Sequence, residues 1–122
     1  MAIFEGVVAR TYTSSAAISQ GRFVTAASGT GLVAQTGAGL LATGVSLAAT
    51  TASGQVLPVA YDGRVQVSAG GTIAVGATVT SNATGQAVAT ATGNVILGIA
   101  LEAAVSGQIV TIELRRDGTL AP

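Results

Sequence analysis

No cysteine, histidine, tryptophan or lysine occurs in this 122-residue chain, and the five cationic side chains are all arginines. Without cysteine there is no disulfide and no thiolate metal site to hold the fold together. Without histidine or cysteine there is no nitrogen or sulfur ligand of the kind zinc prefers. Nucleophilic catalysis needs a base beside the nucleophile, and the residues that usually serve, histidine and lysine, are missing. Aromatic residues make up 3% and charged residues 8% of the chain, against about a quarter charged in an ordinary domain. The net charge is +0, which leaves no basic stripe for phosphates, so nucleic acid is not expected as a partner.

Small residues take the place of what is missing: Ala, Gly, Thr, Ser and Val dominate, hydrophobic residues reach 49%, and the mean hydropathy is +0.66. Small side chains each bury little apolar area, so a core built from them is thin for one domain spanning 1–122. A surface this poor in charge is weakly protected against self-association. Both features lead us to expect a homo-oligomer or a larger assembly that covers much of the surface. The uncharged run from Phe23 to Tyr61 is broken repeatedly by Gly, Thr, Ser and Gln, so no transmembrane helix and no membrane partner are expected. Met1-Ala2-Ile3-Phe4-Glu5 lacks the basic start and apolar block of a secretory signal. The sequon Asn82-Ala83-Thr84 is read as chance on that ground.

An internal repeat of about 55 residues organises the chain. Gly21-Arg22-Phe23-Val24-Thr25 is echoed by Gly76-Ala77-Thr78-Val79-Thr80, each with an isoleucine three positions earlier, Ile18 and Ile73. Gly44-Val45-Ser46-Leu47-Ala48-Ala49 is echoed by Gly98-Ile99-Ala100-Leu101-Glu102-Ala103, and Ser53-Gly54-Gln55-Val56 by Ser106-Gly107-Gln108-Ile109. Asp62-Gly63 matches Asp117-Gly118. The matches keep their order, which places the units at about 10–65 and 66–120.

Within the units the hydrophobic period is that of strands. Val110, Ile112 and Leu114 alternate with Thr111, Glu113 and Arg115, and Leu57, Val59 and Tyr61 alternate with Pro58 and Ala60. Pro58 has no N–H, which predicts an edge or a bulge there. Asp62-Gly63, followed by Arg64-Val65-Gln66-Val67, predicts a tight hairpin. Further strands are expected over 6–13, 22–26, 32–35, 78–81, 87–90 and 95–101, separated by glycine-rich turns. The Ala-rich segments 48–52 and 102–105 are long enough for one helical turn each. The fold class is therefore all-β: a small β-sandwich or barrel of short antiparallel strands with an internal two-fold repeat.

Little in the chain suits catalysis. The carboxylates Glu5, Asp62, Glu102, Glu113 and Asp117 are the only acid–base candidates. Asp62 and Asp117 fall in predicted turns and Glu113 on the solvent side of its strand. No calcium-loop spacing occurs, and the glycines around 29–31 and 37–44 are not followed by the lysine of a phosphate loop. We expect no enzyme activity, no cofactor and no metal. Two features remain as candidate contacts. Arg115-Arg116 closes the last strand and suits an ion pair with an acidic partner surface. The N-terminal arm 1–5, with Ile3, Phe4 and Glu5, suits either the domain's own core or strand addition to a neighbour.

The run Gly98-Ile99-Ala100-Leu101-Glu102-Ala103-Ala104-Val105-Ser106-Gly107-Gln108-Ile109-Val110 resembles the closing block of small phage head proteins of the capsid cement or decoration family. The resemblance extends over about Ala16 to Leu114. It implies a β-rich protein that binds the outside of an expanded icosahedral head, clamps neighbouring major capsid subunits and resists internal DNA pressure. It is similar in role to the trimeric head decoration protein of lambdoid phages. By that resemblance the partner is the major capsid protein, a homotrimer is favoured, and the protein is made in the host cytoplasm and ends in the virion. The competing readings are a head-fibre base or host-surface-binding β module, and a degenerate enzyme or small-ligand barrel.

Overall fold

The computed structural model describes residues 8–26, 32–115 and 120–121. The short alternating segments become ten strands, and no helix occurs among the described residues. They are β1 (Val8–Thr13), β2 (Phe23–Ala26), β3 (Val33–Gln35), β4 (Gly44–Ser46), β5 (Val56–Asp62), β6 (Arg64–Ser68), β7 (Thr78–Ser81), β8 (Ala87–Ala89), β9 (Gly98–Ala100) and β10 (Ile109–Leu114). The first five strands form one antiparallel sheet in the order β1-β5-β4-β2-β3. The second five form another in the order β6-β10-β9-β7-β8. The two sheets pack together as a sandwich-like pair.

The second sheet repeats the first strand for strand, and the register repeats with it. Val45 pairs with Ala60 as Ile99 pairs with Glu113, and Arg10 with Val59 as Val65 with Ile112. The lone bridges are duplicated too: Ser14 to Val33 and Ala69 to Ala87 are parallel, while Ile18 to Thr50 and Ile73 to Ala104 are antiparallel. These pairings define structural counterparts, such as Arg10 with Val65, Pro58 with Thr111 and Ala60 with Glu113.

The repeated Ser-Gly-Gln has a physical explanation. Gly54 and Gly107 turn the chain with φ of 88° and 89°, a region that favours glycine. Their N–H groups donate to Ser14 O (2.8 Å) and Ala69 O (2.9 Å). The glutamine side chain then closes the turn, since Gln55 Oε1 accepts from Thr51 N at 2.7 Å and Gln108 Oε1 from Val105 N at 3.0 Å. Three buried hydroxyls of the first unit have no hydroxyl counterpart in the second. Ser14, Ser46 and Thr50 bond across the unit to Ala52 O, Ser19 O and Ala16 O, where the second unit has Ala69, Ala100 and Ala104.

Several local expectations are corrected. Asp62-Gly63 makes no hairpin, because β5 and β6 lie in different sheets and pair with β1 and β10 respectively. Gly63, with φ of 98°, instead carries the chain from one sheet to the other, and its carbonyl accepts from Leu114 N at 2.9 Å. Pro58 sits in a strand flanked by β1 and β4, not at an edge, and the register shift of that ladder lies at Val8/Ala9 rather than at Pro58. Gly44–Ser46 is a strand that alternation could not mark in three residues. The segments 48–52 and 102–105 form no helical turn; Thr50 and Ala104 are held in bridges to Ile18 and Ile73. Asp117-Gly118 lies outside the described residues.

Candidate functional site: the joined and open faces

Strand residues alternate between two faces, and in the first unit both faces are used. Val24, Leu57 and Val59 point into a cluster with Ile18 and Val33, against which Tyr12 packs. Phe23, Val45 and Ala60 belong to the larger cluster that holds Val65, Val67, Val79, Ile112 and Leu114 of the second unit. The join is also made backbone to backbone. Ser68 N donates to Gly21 O (2.8 Å), Phe23 N to Gly85 O (2.7 Å), Gly39 N to Ser81 O (2.8 Å) and Val95 N to Gly39 O (3.1 Å). The Arg22 guanidinium adds Nη1 to Thr84 O at 3.0 Å.

Among the described residues, the same face of the second unit is open. The counterparts of Phe23, Val45 and Ala60 are Thr78 and Ile99, both half-buried, and the exposed Glu113. Leu47 packs against the shared cluster, whereas its counterpart Leu101 is 39% exposed beside Ile109 at 53%. On the first unit, Leu41 is 48% exposed although its counterpart Val95 packs on the shared cluster. Leu101 and Leu41 therefore fall at the repeat-related positions of a join that the chain makes once, whereas Ile109, like its counterpart Val56, is exposed in both units.

Ile3, Phe4, Glu5 and Arg116 lie outside the described residues. Arg115 follows β10, is half-buried, and is tied to the fold through its N–H to Leu97 O at 2.7 Å. Glu113 is exposed on β10 opposite Arg64. Two carboxylates have structural partners: Asp62 Oδ1 accepts from Gly63 N (2.9 Å) and Glu102 Oε2 from Thr111 N (3.0 Å). No group of three or more His, Cys, Asp or Glu side chains that would hold a metal occurs among the described residues. Arg10 lies 5.3 Å from the centroid of the Tyr61 ring, and its hydrogen bond to Tyr61 raises its pKa further above the usual arginine value.

Sequence reasoning missed Leu41, Leu101 and Ile109 as surface candidates. Leu101 stands in the repeated Gly-x-x-Leu block, where an apolar residue reads as core. Only the pairing of the two units shows which copy of that leucine is covered.

A sequence model of the family described as phage cement protein matches residues 4–116. Among solved structures, the chain is similar to the crystal structure of the head fiber gp8.5 N base in bacteriophage phi29. The two share 23% identity and a TM-score of 0.75, over 94% of this chain and 99% of that one. No curated protein matches.

Proposed function

The chain belongs to the phage cement protein family, and we propose that it binds the outer surface of an expanded icosahedral head as a homo-oligomer, three copies favoured, and stabilises that head. The family makes it a structural protein of the phage head and a component of the virion; the surface bound, the copy number and synthesis in the host cytoplasm belong to the proposal. The single observation that carries the reading is the family match, which spans both sheets. The charge-poor surface with exposed leucines and valines supports it, because such a surface is best tolerated when other protein covers it. No catalytic role is proposed: the Asp62 and Glu102 carboxylates brace a turn and a strand, and no histidine or lysine stands beside a nucleophile. Affinity would come from several simultaneous contacts with the major capsid protein. A protein that binds only the expanded lattice shifts the equilibrium away from disrupted heads by mass action.

Saturable binding of purified protein to expanded heads, and none to unexpanded ones, is the expected result. Equal binding to both, or none to either, would overturn the reading. A head-fibre base is the second reading, favoured by the fold shared with the phi29 fibre base over nearly the whole of both chains. It predicts that the protein carries or contacts something distal to the head, which binding of purified protein to host cells would register.

A further inference from the structure

We infer that the open face of the second unit, at Thr78, Ile99, Leu101 and Glu113, docks on the first unit of a second copy, against the open edge of β1 and Leu41. The inference rests on the homo-oligomer reading above and assigns it a contact.

The duplication supplies the join between units twice, and the chain uses it once. Within the chain, the face bearing Phe23, Val45 and Ala60 is received by β6, whose Ser68 N–H reaches Gly21 O across the join. A Cβ placed on Gly21 would lie 3.4 to 3.7 Å from the backbone of Gln66, Val67 and Ser68. Around Gly76, its counterpart, the same space is empty among the described residues. The receiving strand also has a counterpart. Among the described residues β1 pairs only with β5, as β6 pairs only with β10, and Thr13 takes the place of Ser68. A second copy seated in the same way would donate its Thr13 N–H to Gly76 O.

Side chains at the two open surfaces match each other. Leu47 and Val95 both pack on the shared cluster inside the chain; their counterparts Leu101 and Leu41 are both exposed. Ala60 and Val65 both lie in that cluster; their counterparts are Glu113 and Arg10, of opposite sign and both exposed. An apolar pair at the covered join thus becomes an ion pair at the open one, as suits a rim that meets solvent before assembly. One end of the open face is closed by the chain itself. Gly93, the counterpart of Gly39, donates to Ala121 O at 3.0 Å, which confines the contact to the part around Ile99 and Leu101. A donor surface and a different acceptor surface on one chain make a head-to-tail contact, which closes into a ring when the rotation allows.

Sedimentation of the purified full-length chain tests this without heads, so its outcome is independent of head binding. The wild-type protein is expected as a closed oligomer. Leu101→Asp and Leu41→Asp are each expected to sediment as single chains while keeping the wild-type circular dichroism, since both positions are exposed. Mixing those two variants should give a dimer, because each keeps the surface that the other has lost. Arg10→Glu and Glu113→Arg should each weaken assembly at least tenfold, and the double reversal should restore it. A wild-type protein that remains a single chain would overturn both the oligomer and this contact. An oligomer that survives either aspartate substitution, or single reversals that the double reversal does not rescue, would overturn this contact alone.

Discussion

Glu102 Oε2 accepts the backbone N–H of Thr111 at 3.0 Å, at the place where the first unit has Ala48 and Pro58. In each unit the strand carbonyl at this position accepts from the leucine that follows the short middle strand: Leu47 N to Pro58 O (3.0 Å) and Leu101 N to Thr111 O (2.9 Å). The N–H on the same side of the strand has no backbone acceptor there. One unit removes the donor with proline and the other supplies a carboxylate. Proline is therefore tolerated in a strand flanked on both sides, and the second unit's extra acid is structural.

That relationship makes a double-mutant cycle informative. Glu102→Ala is expected to cost about 1 kcal/mol by leaving the Thr111 N–H to solvent. In the Glu102→Ala background, Thr111→Pro should cost less than it does alone, because the carboxylate no longer has a donor to lose. Urea denaturation of the four proteins measures the coupling.

Gly85 is held by two constraints at once. It has φ of 81°, and a Cβ there would stand 2.8 Å from Phe23 O of the other unit. Gly107 has φ of 89° but open space around it. Gly85→Ala is therefore expected to destabilise by about 2–4 kcal/mol, and Gly107→Ala by about 1 kcal/mol, the cost of the backbone conformation alone. Thermal melts of the two variants compare them directly.

Thr80 is 1% exposed, and its hydroxyl finds no hydrogen-bond partner among the described residues. Replacing that hydroxyl with a methyl group removes an unsatisfied polar atom at nearly constant shape. Thr80→Val is expected to stabilise the protein by about 1 kcal/mol. A denaturation midpoint that falls instead would mean the hydroxyl is satisfied in solution.

The all-β class and the duplication were legible in the sequence because the repeated blocks are turns with strict requirements. Gly54 and Gly107 need positive φ, and Gln55 and Gln108 close the same turn with the same side-chain bond. Such requirements leave a mark on residue identity. The partner of a strand leaves none: Asp62-Gly63 has the residues of a hairpin turn, yet the strands on either side belong to different sheets. Pro58 misled for the same reason, since the neighbouring β4 ends at Ser46, before it would need the missing N–H. The candidate surface was the least legible part. Leu47 and Leu101 hold the same place in the repeated Gly-x-x-Leu block, and only the packing of one sheet on the other covers the first and leaves the second exposed.

The central claim, that this protein reinforces the phage head, is tested most directly by the temperature at which heads release their DNA. Expanded, DNA-filled heads lacking the protein should disrupt at a lower temperature than wild-type heads, and purified protein added back should restore the wild-type value saturably. Identical disruption temperatures for bare and decorated heads, with binding confirmed, would contradict it.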